Sequence, residues 1–267
     1  MNNEKIGRRG FLKMLLAGTG TVLVVGPRKL GEVAEELISA SKAPGDSASP
    51  RWAMIIDQSK CIGCGDCTHA CAAANDTAPG ISWNQVTEAE KVGEQQVFLP
   101  VQCMHCNNAP CVDVCPVKAT YHRADGIVMM DYDRCIGCRY CEIACPYGAR
   151  SFNWEAFTGD NPDVPAWGQP EVERRPRGVV EKCTFCYQRI NRGLAHGLTP
   201  GVDREATPKC VVTCPTGARI FGDLNDPDSP VSKALAAHPS FRLREELGTE
   251  PRIYYLPPHE AHSEVNA

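Results

Sequence analysis

The chain has 267 residues and a formal net charge of −4, with 28 basic against 32 acidic side chains. That near-balance excludes the strongly basic field that nucleic-acid binding calls for, and the length allows one or two domains. Sixteen cysteines, 23 glycines and 21 prolines beside 7% aromatic residues describe a loop-rich chain organised by its thiols more than by a large apolar core.

The first segment reads as an address. Gly7-Arg8-Arg9-Gly10-Phe11-Leu12-Lys13 precedes a modestly apolar run from Met14 to Val25, interrupted by Gly18 and Gly20. The run is shorter than the ~20 residues of a membrane-spanning helix, and the pattern resembles a twin-arginine export signal. Residues 1–50 are therefore expected to be an export signal and linker. The folded part would then lie in the periplasm or on the outer face of the cytoplasmic membrane, associated with the membrane through partners. Within this segment Lys29 to Ala40 can form an amphipathic helix, with Leu30, Val33, Ala34, Leu37 and Ile38 on one face. Ser41-Lys-Ala43 is a weak cleavage candidate, and Ala43 to Pro50 reads as a linker.

The folded part begins near Trp52. Ala53 to Ile56 predicts a short strand leading into the first cysteine group, Asp57-Gln-Ser-Lys60-Cys61-Ile-Gly-Cys64-Gly-Asp-Cys67-Thr-His-Ala-Cys71. Residues 75–100 form an insertion in which Ile81 to Val86 and Gln95 to Leu99 can pair as a hairpin. The second group is Cys103-Met-His-Cys106-Asn-Asn-Ala-Pro-Cys111-Val-Asp-Val-Cys115-Pro116. Ile127 to Met130 predicts another strand, before the third group, Cys135-Ile-Gly-Cys138-Arg-Tyr-Cys141-Glu-Ile-Ala-Cys145-Pro146. Strand, Asp, basic residue and Cys-Ile-Gly-Cys thus recur in order, the mark of an internal duplication. Phe152 to Val180 carries several prolines and reads as an extended surface excursion. The fourth group is split: Cys183-Thr-Phe-Cys186, a loop with a short helix over Ile190 to Pro208, then Cys210-Val-Val-Thr-Cys214-Pro215. Asp223 to Ser229 is turn-rich, Val231 to Ala237 predicts a helix, and Arg252 to Leu256 a strand. No apolar run of membrane-spanning length follows residue 50.

The third group has the spacing of the bacterial ferredoxin run for a [4Fe–4S] cluster, in which the fourth Cys serves a second cluster. Thiols scattered to staple distant loops would suggest disulfides, but here they fall in Cys-x-x-Cys clusters. Four-thiolate zinc sites satisfy the same count. Against zinc, two groups carry a third Cys two residues on and three end in Cys-Pro. Gly63 and Gly137 permit the tight turns, and Pro116, Pro146 and Pro215 follow the last Cys of their groups, whereas Ala72 follows Cys71. Four groups of four make sixteen, which is what four cubanes require. Applying the crossed rule pairs the groups. Cluster 1 takes Cys61, Cys64, Cys67 and Cys214. Cluster 2 takes Cys183, Cys186, Cys210 and Cys71. Cluster 3 takes Cys103, Cys106, Cys111 and Cys145, and cluster 4 takes Cys135, Cys138, Cys141 and Cys115. The arrangement is nested and brings the ends of the folded part together.

His69 and His105 lie inside cysteine groups, but sixteen thiols leave them a supporting or surface role. Lys60, Arg134 and Lys182 each precede a first Cys; each is either a counter-charge to a cluster or a solvated surface charge. Trp154 and Trp167 read as local core anchors or partner contacts. No nucleophile–base set, phosphate loop or mononuclear metal motif is present, which points to carrying electrons and away from transforming a substrate.

At Cys103-Met-His-Cys106…Cys111…Cys115-Pro, Cys135-Ile-Gly-Cys-Arg-Tyr-Cys…Cys145-Pro-Tyr-Gly-Ala-Arg, Gly178-Val-Val-Glu-Lys-Cys183-Thr-Phe-Cys186 and the tail Glu246-Leu-Gly-Thr-Glu-Pro-Arg-Ile-Tyr-Tyr255-Leu, the chain resembles the four-cluster iron–sulfur subunits of the molybdopterin oxidoreductases, among them dimethyl sulfoxide, polysulfide and tetrathionate reductases. The resemblance covers roughly Trp52 to Leu256. It implies an α+β fold of duplicated bacterial-ferredoxin-like 2[4Fe–4S] units with loop-rich insertions. Segments 51–102 (first group and hairpin), 103–150 (central two-cluster unit), 151–222 (insertion and fourth group) and 223–267 (a tail packing on the core) would make it up. It implies four [4Fe–4S] clusters carrying electrons between a catalytic subunit, molybdopterin-dependent, and a membrane quinone-interacting subunit or cytochrome. The export signal on this chain and the lack of a C-terminal membrane helix also fit iron–sulfur subunits of nitrite- or sulfite-reduction-linked complexes without molybdenum. A zinc-stabilised interaction protein is the alternative of another class.

Overall fold

A computed structural model describes residues 49–92, 95–166 and 168–258; the export signal, the stretch Lys29 to Ala40 and Trp167 lie outside them. All described residues belong to one unit, Ser47–Ala267. In chain order the elements are β1 (Trp52–Asp57), α1 (Asp66–Asn75), β2 (Asn84–Val92), β3 (Gln95–Gln102), α2 (Pro110–Asp113), β4 (Thr120–His122), β5 (Val128–Met130) and α3 (Tyr140–Ile143). There follow β6 (Ser151–Phe152), β7 (Val180–Glu181), α4 (Tyr187–Ala195), α5 (Lys209–Val212), β8 (Arg219–Asp223), α6 (Pro230–Ala237), a 3₁₀ turn (Glu245–Leu247) and β9 (Ile253–Leu256).

The three-stranded sheet has β1 in its centre, antiparallel to β8 and parallel to β9, with Ile55 opposite Ile220 on one side and Tyr254 on the other. All six residues of β1 are buried, as a near-continuous apolar run demands. One face, with Ala53 and Ile55, packs with Val231 of α6 and Leu256. The other, with Met54 and Ile56, joins Phe221, Ile253 and Tyr255 in the main core, to which the buried thiols also belong. Pro230 opens α6, and Ser229 Oγ accepts from the Ser232 N–H at 3.4 Å, an N-terminal cap of the usual kind.

The predicted hairpin exists, but its first strand starts at Asn84. Ile81 instead closes a turn back to the Ala78 carbonyl at 2.9 Å. The expected strand before the third group is β5, and it pairs with β4, a partner that the sequence reading lacked.

Residues 153–179 are more than a surface excursion. Their neck is closed by the β6–β7 pair, and they clamp the C-terminal end of α1. Asn161 donates to Asp76 at 3.1 Å and to the Thr77 carbonyl at 3.2 Å. Arg174 forms a two-pronged pair with the Asp76 carboxylate, both bonds at 2.9 Å. Arg175 reaches the Asp76 carbonyl at 3.0 Å and Glu181 at 3.1 Å, with Trp83 under its guanidinium and the Trp83 N–H also on Glu181 at 2.9 Å. Trp154 is no core anchor: it is exposed, with Arg139 over its ring at 4.5 Å.

Burial works to raise the Asp76 carboxyl, but hydrogen bonds from Arg174 and Asn161 and the charges of Arg174 and Arg175 hold it below its ordinary value. A depressed carboxyl contributes stability in full above its unfolded pKa, about 4, and loses it as pH falls through the folded value. Hydrogen exchange in residues 153–179 should therefore rise below about pH 4, and Asp76→Asn should abolish that pH dependence. Equal acid sensitivity in the variant would show that another group controls the clamp.

Candidate metal centres

Each cysteine group is shaped by short-range chemistry. Asp57 Oδ1 accepts from the Ser59 N–H at 3.0 Å and its hydroxyl at 2.6 Å. Asp131 Oδ1 does the same for the N–H groups of Asp133 and Arg134, both at 3.1 Å. These Asx turns launch the two Cys-Ile-Gly-Cys loops. Gly63 (φ 71°) and Gly137 (φ 70°) turn left-handed there, and a Cβ on Gly137 would stand 2.3 Å from the Gly178 carbonyl oxygen. The third thiol of each group sits on a short helix: Cys67 on α1, Cys111 on α2, Cys141 on α3 and Cys210 on α5. The fourth follows where three of these helices end, its N–H tied back to Val112 for Cys115, Glu142 for Cys145 and Val211 for Cys214.

Beyond each proline, Lys118, Gly148 and Gly217 take positive φ, and the chain doubles back. In two groups the turn delivers a backbone N–H to sulfur, Ala119 to Cys115 at 3.2 Å and Ala218 to Cys214 at 3.3 Å. Cys71 has no proline after it, so α1 runs on through Asn75. The Asn75 amide then donates to the Cys71 carbonyl at 3.0 Å and to Cys71 Sγ at 3.5 Å.

The thiols gather in four quartets. Cys61, Cys64, Cys67 and Cys214 line one cavity with Ile56, Gly63 and Arg219. Cys115, Cys135, Cys138 and Cys141 line another with Met130, Gly137 and Val180. Cys71 lies within electrostatic reach of Cys183, Cys186 and Cys210, and Cys106 of Cys103, Cys111 and Cys145. Neighbouring quartets lie within electrostatic reach of one another in succession. Cys210 feels Cys67, Cys183 feels Cys103, and Arg150 stands between Cys111 and Cys141. The quartet with Cys71 is wholly buried, whereas Cys64 and Cys138, one at each end of the line, are exposed. Among the described residues no three His, Cys, Asp or Glu side chains converge as a single-ion site.

Burial dominates the electrostatics. It pushes the Cys106 and Cys210 thiols up to about 12, with Cys103 adding at Cys106 and Cys186 at Cys210, and drives Cys183 higher still. Cys115 and Cys214 go the other way. Burial opposes ionisation there too, but backbone N–H groups at Cys115, and at Cys214 the Thr216 hydroxyl followed by backbone N–H groups, hold both below the ordinary thiol value. Such donors favour a thiolate and tune a bound cluster.

The two histidines stand apart from the quartets. His69 is exposed and bonded to Asp163 at 2.7 Å. His105 is fully buried, stacked on Phe185 at 3.8 Å, and its Nδ1 accepts the Val128 N–H at 3.1 Å. Burial and the Lys182 charge keep it neutral, so its proton is on Nε2. The three basic residues that precede cysteines also separate. Lys60 is exposed and paired with Asp57, Arg134 is exposed and reaches the Val117 carbonyl, and Lys182 is fully buried. The sequence reading missed the buried Arg150 and Arg219. Their signal was present, because Cys-Pro-x-Gly-Ala-Arg occurs after both the third and the fourth group.

The residues fit cubane clusters. Each quartet offers four sulfurs, backbone and side-chain donors point at those sulfurs, and the buried Arg150 Nε and His105 Nε2 have no protein partner. Thiol quartets of this kind, built on Cys-Pro turns and fed by crossed pairs of groups, define an iron–sulfur protein of the ferredoxin type.

The chain matches the 4Fe–4S dicluster domain three times, over residues 53–116, 94–160 and 134–218. It is 45% identical over 222 residues to a chain of Halobacterium salinarum assigned as a dimethyl sulfoxide reductase iron–sulfur subunit, covering 77% of this chain and 78% of that one. It is 41% identical over 222 residues to a selenate reductase subunit of Mesobacillus selenatarsenatis, with 77% and 72% covered. To the menaquinone reductase iron–sulfur cluster-binding subunit of Nitratidesulfovibrio vulgaris it is 42% identical over 233 residues, with 77% and 88% covered. The chain belongs to this family of iron–sulfur electron-transfer subunits, whose complement is four [4Fe–4S] clusters.

Two loop glycines give a graded test. The Gly137 site is closed by a backbone carbonyl, and the Gly63 site by the Phe98 ring, a side chain that can shift without moving the backbone. Gly137→Ala should cost more bound iron and acid-labile sulfide than Gly63→Ala in anaerobically purified protein. The reverse ranking would mean that the carbonyl contact does not govern loop closure.

Proposed function

We propose that this chain carries electrons through four [4Fe–4S] clusters between a catalytic oxidoreductase subunit, molybdopterin-dependent, and a membrane quinone-interacting subunit or cytochrome. The observation that carries this reading is the line of four quartets, buried in the middle and exposed at Cys64 and Cys138 at its ends. Each cluster, once bound, supplies one-electron chemistry. The protein's part is to exclude water from the inner quartets, aim N–H donors at sulfur and fix the spacing. The relatives support both partners: two are named as subunits of reductases, and the third as part of a menaquinone reductase.

In this reading the ligands are Cys61, Cys64, Cys67 and Cys214 for the first cluster, and Cys71, Cys183, Cys186 and Cys210 for the second. Cys103, Cys106, Cys111 and Cys145 hold the third, and Cys115, Cys135, Cys138 and Cys141 the fourth. The fold is then α+β, two ferredoxin-like units nested one within the other, with the β2–β3 hairpin and residues 153–179 as insertions. The Arg8-Arg9 leader directs export, and the folded part works at the outer face of the cytoplasmic membrane.

Anaerobic purification from membranes tests the whole. The complex should contain four cubanes' worth of iron and sulfide in this subunit, with a molybdopterin subunit attached. Zinc without visible iron–sulfur absorbance would refute the cluster reading, and a siroheme or multihaem partner would replace the molybdenum one. Cys145→Ser should first remove the EPR signal of the cluster on Cys103, Cys106 and Cys111. Loss confined to the cluster on Cys135, Cys138 and Cys141 would overturn the crossed pairing. Replacing Arg8 and Arg9 together by lysine should leave the chain in the cytoplasm on fractionation.

A further inference from the structure

Among the described residues, two of the five buried guanidinium groups find carboxylates. Arg175 pairs with Glu181 at 3.1 Å, and Arg189 with Glu171. Arg252 donates to the Asn107 amide oxygen and the Asp125 carbonyl instead, and three still more deeply buried cations also lack a carboxylate. Arg150 and Arg219 are each 4% exposed and Lys182 is 0% exposed, and among the described residues no ion pair reaches any of them. An unpaired charge in the interior is costly; here sulfur lies within hydrogen-bonding reach of the two guanidinium groups, and thiols lie within electrostatic reach of Lys182.

Arg219 Nη2 donates to Asn84 Oδ1 at 2.7 Å and points at Cys67 Sγ at 3.5 Å, while its Nη1 lies 3.9 Å from Cys210 Sγ. Arg150 Nη2 donates to Cys111 Sγ at 3.0 Å, and the charge of the same side chain acts on Cys141. Lys182 Nζ is fixed by the carbonyls of Cys183, at 2.8 Å, and Val128. From there its charge acts on Cys103, Cys183 and Cys111. The placement is systematic. Arg219 stands between the first and second quartets, Lys182 between the second and third, and Arg150 between the third and fourth.

We propose that each of the three gaps in the cluster line is filled by one fixed cation, and that each cation sets the potentials of the two clusters flanking its gap. An electron arriving on either cluster is stabilised by the same positive charge, in an interior where Coulomb interactions are weakly screened. The cation therefore raises both potentials together and opens no large step between donor and acceptor. One electron leaves one cluster and enters the next, and at the two guanidinium gaps no proton need move, because a guanidinium keeps its charge.

The inference rests on the cluster pairing proposed above. Its test is EPR-monitored redox titration of the intact complex carrying Arg219→Gln, Lys182→Met or Arg150→Gln, with iron content measured alongside. Each neutral variant should lower the midpoint potentials of the two clusters beside its gap and leave the other two in place. The charge-conserving set Arg219→Lys, Lys182→Arg and Arg150→Lys should assemble with full iron and keep the native pattern, which decides the matter even where a neutral variant fails to assemble. Full iron with unmoved potentials, a uniform shift of all four clusters, or equal shifts in the neutral and charge-conserving variants would each overturn the gap-cation proposal alone. Iron short of four cubanes in the wild-type chain, or the opposite outcome for Cys145→Ser, would instead overturn the pairing.

Discussion

Nine of the sixteen thiols that must function as anions are buried in an interior that disfavours anions. The burial that shields a cluster from water also pushes Cys106 and Cys210 far above the ordinary thiol range. Much of the local structure answers that conflict. The Cys-Pro turns bend so that Ala119 and Ala218 present N–H groups to sulfur. The Asn75 amide does this for Cys71, in the group that lacks a proline. Where donors alone are insufficient, whole cations enter, as at Arg150, Arg219 and Lys182. Metal and protein are therefore expected to stabilise one another, since thiolates that are costly when bare become favourable as ligands.

The same constraint explains why the regular elements are short. A helix that has to place a third and a fourth thiol needs one turn, and α2, α3 and α5 are four residues each. Apolar packing is concentrated on β1 and its two neighbours, which tie the two ends of the described chain together. The long insertion 153–179 adds a second kind of cohesion, a polar clamp of Asp76, Arg174, Arg175 and Glu181. Breaking a buried pair such as Arg175–Glu181 costs about 3–5 kcal/mol, comparable with the truncation of a large core side chain.

Legibility in the sequence followed distance along the chain. The Cys-Ile-Gly-Cys loops and strands β1, β5 and β9 are set by a few adjacent residues, and local pattern alone located them. The β4–β5 pairing escaped because Thr120 to His122 carries no alternation longer than three residues. Trp154 misled because nothing in the sequence distinguishes an aromatic that anchors a loop from one exposed under Arg139. Lys182 was left balanced between a solvated charge and a counter-charge, since burial is a property of the assembled fold. Arg150 and Arg219 stood in plain view in a recurring motif, but their significance depends on sulfurs brought from elsewhere: Cys111 for the first, Cys67 for the second.

The nesting also sets a schedule. On the proposed pairing, the third and fourth clusters draw every ligand from residues 103–145, a stretch that can close over short loops as soon as it is made. The first two wait for Cys183 to Cys214, and β1 waits for β8 and β9, so their closure spans nearly the whole folded chain and is slower for that reason. Assembly then proceeds from the inside outward. The first cysteine group, earliest to be synthesised, is among the last to be filled, and until then its four thiols remain exposed to oxidation or to the wrong metal.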